Sequence, residues 1–132
     1  MLVGAVAIAL LAAACGSGSS TKASALDETC KRETAALARV GPIRDLGDAS
    51  RALRSVLALE RRALVDVEAA DKSREPLAAR MRLSIGAAAR SLRAIVGADP
   101  QQTMTPVRTG VSNARRSATD AATLVRSLCG GA

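Results

Sequence analysis

Four stretches of this sequence repeat apolar residues every three or four positions, and this period most constrains the fold. Such spacing places apolar side chains on one face of an α-helix, whereas a half-buried strand alternates every second residue. The stretches run from about 24 to 40, 48 to 70, 73 to 95 and 105 to 128, and short segments with glycine or proline separate them. The sequence therefore predicts four amphipathic helices and an all-α fold.

Local signals at the helix starts agree with these boundaries. Ser24, Ser73 and Thr105 stand where N-caps are expected, and Pro76 and Pro106 follow the last two within one turn. Two glycines, at 130 and 131, follow the fourth stretch and predict its end.

Composition supports helices packed in one domain. The chain has 132 residues, of which 48% are hydrophobic, and it contains no Phe, Tyr or Trp. A core must therefore consist of Leu, Val, Ile, Met and Ala, which together favour helix over strand. With short connections, four helices most simply form an up-down-up-down bundle over residues 24–132. A homo-oligomeric coiled coil is the alternative architecture.

The N-terminus has the pattern of an export signal. Residues 2–14, "LVGAVAIALLAAA", form an uncharged run of 13 residues. As a helix it would be about 20 Å long, too short to span a hydrocarbon core of about 30 Å. The length is typical of the apolar region of a signal peptide.

The segment "LAAAC" at the end of this run resembles the lipobox of bacterial lipoproteins. The resemblance covers residues 1–15 and implies that 1–14 are removed and that Cys15 is diacylated as the mature N-terminus. Residues 15–23, rich in Gly and Ser, are then expected to form a flexible tether. The protein would be exported and anchored to the outer face of the cell membrane, or held in the periplasm.

Two other interpretations of the N-terminus stay open. "AAA" before Cys15 also fits an A-x-A signal-peptidase site, which would release a secreted, soluble protein with a free Cys15 thiol. Alternatively, the apolar run is a buried N-terminal helix, although the linker composition after it argues against this.

The cysteine count favours a disulfide. An exported chain with three cysteines leaves one unpaired, and lipidation of Cys15 would use that one. Cys30 and Cys129 remain, near the start of helix 1 and the end of helix 4. An up-down-up-down bundle brings those two ends together, so we expect a Cys30–Cys129 disulfide.

Composition argues against an enzyme. The chain has no His, and its cysteines are assigned to lipidation and the disulfide, which leaves no residues for most nucleophile–base pairs or metal sites. We expect no catalytic residue, no cofactor and no metal. Met81 and Met104 are interpreted as core residues rather than copper ligands.

Two acidic residues fall on apolar faces. Glu33 lies between Cys30 and Leu37, and Glu60 between Val56 and Leu64. A buried charge costs free energy unless it is paired. Each carboxylate either lies at the edge of a helix contact and reaches solvent or an arginine, or contributes to a polar pocket for a cationic ligand.

Positive charge is concentrated in the second half of the chain. Residues 73–128 carry nine Lys or Arg against three Asp or Glu, which is +6 of the net +7. On the third helix, Arg82, Arg90 and Arg93 fall within about 80° of one another. A second set on the fourth helix comprises Arg108, Arg115 and Arg126.

These features predict a lipid-anchored binding or structural module of the cell envelope, with the membrane contacted through the lipid. Its basic face would contact anionic lipid, an anionic envelope polymer or another envelope protein, unless that face is only solvated. Nucleic acid is not expected, because the chain is expected to be exported and has no aromatic residues to stack on bases. The alternative function is a small-molecule or lipid carrier with a pocket inside the bundle.

Overall fold

A computed structural model describes residues 17–97 and 104–130, with side chains from 26 to 97 and from 107 to 130. This part of the chain contains four α-helices, with a short 3₁₀ turn at Lys72–Arg74. The helices are α1 (Ser17–Ala38), α2 (Leu46–Ala69), α3 (Glu75–Val96) and α4 (Met104–Gly130). No strand occurs in the described residues. The all-α prediction is confirmed.

Consecutive helices run in opposite directions and pack into a bundle. Helices α2 and α4 contact each other, and both contact α1 and α3, whereas within the described residues no Cα atoms of α1 and α3 lie within 8 Å of each other. Cys30 of α1 and Cys129 at the end of α4 form a disulfide with their Cα atoms 5.2 Å apart. The predicted disulfide and the four-helix bundle are therefore confirmed. We call this the disulfide end of the bundle.

Helix α1 begins earlier than expected. It is helical from Ser17, so Ser24 is not its N-cap, and residues 17–23, assigned to a flexible tether, have helical backbone. The chain has no glycine or proline between Ser19 and Val40, so no residue in this stretch breaks the helix. The signal peptide and Cys15 lie outside the described residues.

The starts of α2 and α3 also differ from the sequence signals. Asp45 is the N-cap of α2, and its side chain accepts a hydrogen bond of 2.7 Å from the backbone N–H of Asp48. Ser73 lies inside the 3₁₀ turn and does not cap α3, whose cap position is Arg74. Ser73 was expected to cap α3, but it belongs to the 3₁₀ turn that precedes the helix. Pro76 lies in the first turn of α3, as predicted.

The core consists of two apolar clusters. The larger contains Leu53, Val56 and Val111, and the smaller, toward the disulfide end, contains Val67 and Met81. Met81 is thus a core residue, as expected, whereas the side chain of Met104 lies outside the described residues. Both clusters draw their residues from several helices, so the core holds the helices in one unit.

Gly110 lets three helices approach closely. It is buried on α4, and a Cβ atom placed there would lie 2.8 Å from Leu46 Cδ2 of α2 and 3.2 Å from Ile95 Cγ1 of α3. A larger residue would push at least one neighbouring side chain away. In the described part of the chain, none of the helices combines the length and the apolar character needed to cross a membrane.

Candidate functional site

Glu60 is a buried carboxyl group in the middle of the bundle. It lies on α2 between residues of the two apolar clusters, and 1% of its surface is exposed. The Ser84 hydroxyl of α3 donates a hydrogen bond of 2.7 Å to Glu60 Oε1. Glu60 Oε2 is buried and has no hydrogen-bond partner among the described residues. An unsatisfied buried polar atom costs about 1–3 kcal/mol of stability.

The pKa of Glu60 is raised to about 7. Burial is the main cause, because removal from water disfavours the charged carboxylate. The Ser84 hydrogen bond lowers the pKa in opposition, and the negative charge of Asp120 on α4 raises it further. Glu60 therefore titrates near neutral pH. Shifts of this kind occur at functional sites and also in structural polar clusters.

A cleft opens beside Glu60 on the outer side of α3 and α4. Its volume is about 370 Å³. Ser84, the hydrogen-bond donor to Glu60, is part of its wall, and Asp120 stands on the α4 side. The other lining residues are Arg80, Leu83, Ala87, Thr123 and Leu124. A small polar molecule in this cleft would lie one hydrogen-bonded side chain away from Glu60.

Glu33 is also fully buried, but its charge is paired. Arg32 Nε lies 2.7 Å from its Oε1, and Arg62 Nη2 of α2 lies 3.2 Å from its Oε2. Arg32 also pairs with Asp66 at 2.9 Å, and the Thr29 hydroxyl donates to Asp66 at 2.7 Å. The Thr29 hydrogen bond first, and Arg32 after it, hold the pKa of Asp66 below its usual value. This network joins α1 to α2.

The structure does not bring Glu33 and Glu60 into one pocket. Glu33 bonds to Arg62, whereas Glu60 bonds to Ser84 of α3. Positions 60 and 62 are about 200° apart around a helix, so they face different neighbours. Glu33 reaches arginines at the edge of a helix contact, whereas Glu60 lies behind Ser84, which is part of the wall of a cleft.

The three arginines singled out on α3 have different environments. Arg82 bridges Glu68 and Glu75, with one N–O distance of 2.7 Å to each. These contacts lower the pKa of Glu75 and raise that of Arg82. Arg90 lines a second cleft between α3 and α4, of about 350 Å³. Arg93 is exposed and has no ion pair among the described residues.

Two of the three arginines singled out on α4 lie together. Arg108 and Arg115 line a cleft of about 400 Å³ with Arg44, from the loop before α2, and with Ser112. Val107 and Val111 complete the wall. We call this the three-arginine cleft. It lies where α2 and α4 begin, opposite the disulfide end.

Arg126 is separate from that cleft. It lies on the last turns of α4, and its Nη2 donates to Thr123 Oγ1 at 3.2 Å. A helix rises about 1.5 Å per residue, which places Arg126 about 16 Å along the axis from Arg115. The predicted basic face is therefore not one patch: the structure divides it among separate locations.

Sequence reasoning missed several residues of these clefts. A helical count places Ser112 on the same stripe as Arg108 and Arg115, because it follows Arg108 by four positions and precedes Arg115 by three. No sequence signal identifies Arg44, because its position depends on how the α1–α2 loop packs on α4. Ser84 and Asp120 likewise depend on the register of α3 and α4 against α2.

The described residues contain no group of three or more His, Cys, Asp or Glu side chains placed to hold a metal ion. Charged and hydroxyl groups line the clefts instead. Comparisons with protein-family models, with curated proteins and with solved structures find no match to this chain.

Proposed function

We propose that this chain is a lipid-anchored binding module of the cell envelope and that the three-arginine cleft binds phosphate-bearing anions. One observation carries the proposal: Arg44, Arg108 and Arg115 come from two elements far apart in sequence, and all line one cleft. Guanidinium groups form charge-assisted, often bidentate, hydrogen bonds with phosphate and carboxylate oxygens. The proposal is for binding rather than catalysis.

Arg115 is held in place for such a role. Its Nε and Nη2 donate to the Ile43 carbonyl at 3.0 and 2.7 Å. A guanidinium group has five N–H donors, so these two bonds leave Nη1 and the second Nη2 hydrogen for an anion. A side chain already fixed by the fold loses less conformational entropy when a ligand binds.

Nearby carboxylates neutralise only part of the positive charge. Asp48 pairs with Arg44 at 3.6 Å and also with Arg51. Neither Arg108 nor Arg115 has an ion pair among the described residues. Arg108 and Arg115 therefore add positive charge to the cleft beyond what Asp48 balances.

The envelope location is supported by the lipobox resemblance and the disulfide. Cys15 precedes α1, whose first residues extend past the disulfide end because Cys30 is the fourteenth residue of the helix, whereas the three-arginine cleft lies at the opposite end. From Arg108 to Cys129, α4 rises about 30 Å. Electrostatic attraction falls off over about 8 Å at physiological salt. An upright molecule would hold the cleft beyond the headgroups of its own membrane, so we favour an anionic envelope polymer as the partner.

A small-molecule carrier is the second candidate function. The unpartnered Glu60 oxygen and the cleft beside Ser84 favour it. Ligand-dependent thermal shifts that require Glu60 would support the carrier, whereas co-purification of an anionic polymer would support the binding module.

The anion proposal is tested by binding with matched variants. The full chain with Cys15→Ser, which removes the acylation position, is titrated with soluble polyphosphate and, in a parallel arm, with anionic vesicles. Arg44→Gln with Arg108→Gln should weaken binding roughly 10- to 30-fold at low salt, because each arginine near an anionic surface contributes about 1 kcal/mol. Added salt should reduce wild-type binding.

Arg54→Gln with Arg61→Gln is the control, because it removes the same charge from exposed positions of α2 that have no ion pair among the described residues. Equal losses of affinity in the two double variants would show that binding depends only on net charge and would refute specific binding by the three-arginine cleft. Binding to vesicles alone would identify lipid headgroups as the source of the anion, whereas binding to polyphosphate would support a polymer.

A further inference from the structure

Two adjoining clefts on the outer side of α3 and α4 form one groove. The cleft beside Ser84 and the second cleft, which contains Arg90, share Ala87 and Asp120 in their walls. Their volumes are about 370 and 350 Å³. We call them together the α3–α4 groove. None of the residues of the three-arginine cleft lines it.

One part of the groove contains carboxyl groups that form no ion pair, and Arg80 lines the same cleft. Asp120 lines both clefts, and the Ser84 hydroxyl donates a hydrogen bond to the buried Glu60 carboxyl behind it. Neither carboxyl forms an ion pair among the described residues, and Glu60 Oε2 has no hydrogen-bond partner there. A cation in the groove would offset the negative charge of Asp120 and would favour the ionised form of Glu60.

The neighbouring part of the groove is basic. Arg90 of α3 and Arg116 of α4 line it, with Ser91 and Asn113 beside them. Neither arginine has an ion pair among the described residues. Arg116 precedes Asp120 by one helical turn, which is about 6 Å along α4. Opposite charges thus stand one turn apart along a single groove, and they form no ion pair with each other among the described residues.

We propose that the α3–α4 groove binds a small zwitterion in which a primary ammonium and a phosphate or carboxylate are separated by two or three atoms. The ammonium donates to Asp120 and to the Ser84 hydroxyl oxygen, which passes its own hydrogen bond to Glu60. The acidic group lies against Arg90 and Arg116. Each end of the ligand then meets the charge that the groove leaves unpaired.

This binding differs from the anion binding proposed for the three-arginine cleft. That cleft has arginines but no unmatched carboxylate, so it selects negative charge alone. The groove needs both charges on one molecule, and its ammonium must carry N–H donors. The same chemistry is available as a free metabolite or as a phospholipid headgroup with a primary amine.

The test uses NMR titration of the full-length Cys15→Ser chain with phosphoethanolamine as the probe. Backbone amide shifts should concentrate at residues 84–91 and 113–120, away from the three-arginine cleft. Ethanolamine and inorganic phosphate each carry only one of the two charges, so each should bind this groove with at least tenfold lower affinity than phosphoethanolamine. Phosphocholine keeps both charges but has no N–H donor, and it should also bind at least tenfold more weakly.

Variants assign the two ends of the ligand. Asp120→Asn should abolish the preference for phosphoethanolamine over phosphate in the groove. Arg90→Gln with Arg116→Gln should abolish the preference of the groove for phosphoethanolamine over ethanolamine. Arg93→Gln is the control, because Arg93 lies on α3 and does not line the groove. Far-UV circular dichroism verifies that each variant keeps its helices.

Amide shifts of the groove residues at millimolar phosphoethanolamine, which depend on both the ammonium and the phosphate of the ligand, would support the proposal. No groove shift, equal binding of phosphocholine, or equal effects of Arg93→Gln would overturn it. For a chain that binds the probe, vesicles with and without phosphatidylethanolamine then separate the sources: binding that increases with phosphatidylethanolamine identifies a headgroup, and binding that does not change with it identifies a free ligand. Loss of anion binding at the three-arginine cleft would leave these results unaffected.

Discussion

Replacement of Glu60 by Gln should stabilise the protein at neutral and alkaline pH. Gln has nearly the same shape, still accepts the Ser84 hydrogen bond, and carries no charge. The Glu60 carboxyl has a pKa of about 7 in the fold, against 4.5 as its ordinary value. The folded state therefore holds a proton that the unfolded state has lost between these two pH values.

The magnitude follows from that difference. Where the folded state binds more protons than the unfolded state, stability falls as pH rises, by 1.36 kcal/mol per pH unit. From pH 4.5 to 7 the loss amounts to about 3 kcal/mol, and above pH 8 it stays constant. Gln at position 60 titrates in neither state. The stability advantage of Glu60→Gln should thus grow by about 3 kcal/mol between pH 4 and pH 8.

Urea unfolding at a series of pH values, followed by circular dichroism, measures this difference. Circular dichroism is needed because the chain has no tryptophan or tyrosine. Other carboxyls, such as Asp48 and Asp66, have lowered pKa values. Their contribution to the stability of the protein is therefore lost only as the pH falls below the ordinary pKa range of an Asp carboxyl. Subtracting the wild-type curve from that of the variant cancels their contribution.

Glu28→Gln is the control, because Glu28 is exposed and pairs only with Lys31. Its curve should run parallel to that of the wild type. If Glu60→Gln also ran parallel, or if the variant lost stability as the pH rose, the assignment of a buried neutral carboxyl would be wrong.

Three further predictions concern the fold and its location. Cys30→Ser with Cys129→Ser should lower the free energy of unfolding by roughly 4–5 kcal/mol in the chain-entropy model, measured by urea unfolding; a loss below 1 kcal/mol would refute it. Gly110→Ala should destabilise by about 1–3 kcal/mol because of its close contacts, whereas Gly86→Ala, whose Cβ would meet only the end of an arginine side chain at 3.4 Å, should be neutral or stabilising. Mass spectrometry of protein from its native envelope should find a diacylated N-terminus at Cys15; an unmodified Cys15 or retained residues 1–14 would contradict lipidation.

The bundle could be predicted from the sequence because it depends on local signals: the apolar spacing within each helix and the length of each connection. Apolar residues at helical spacing gave the four helices, and short connections between them implied antiparallel neighbours. That topology placed Cys30 and Cys129 at one end, where the structure joins them. The cap residues were less predictable: Asp45 and Ser73 are both common N-cap residue types, yet Asp45 caps α2 whereas Ser73 lies inside the 3₁₀ turn before α3.

The clefts were only partly predictable because they depend on contacts between helices. The charge count located the arginines on α3 and α4, but the partners of Arg82 come from α2 and from an earlier turn of α3. Arg44 joins the three-arginine cleft through the loop before α2. The apolar period marked Glu60 as an unusual core residue. Its contact with Ser84 depends on the register between α2 and α3, which one sequence does not determine.

The most direct test of the anion-binding account is NMR observation of the arginine Nε–H groups during titration with tripolyphosphate. Signals of Arg44 and Arg108 should shift first and saturate together, while those of Arg54 and Arg61 stay in place at low probe concentration. Arg115 should move less at Nε, because that proton is held by the Ile43 carbonyl. Uniform small shifts at all exposed arginines, with no saturation at the cleft, would contradict the account.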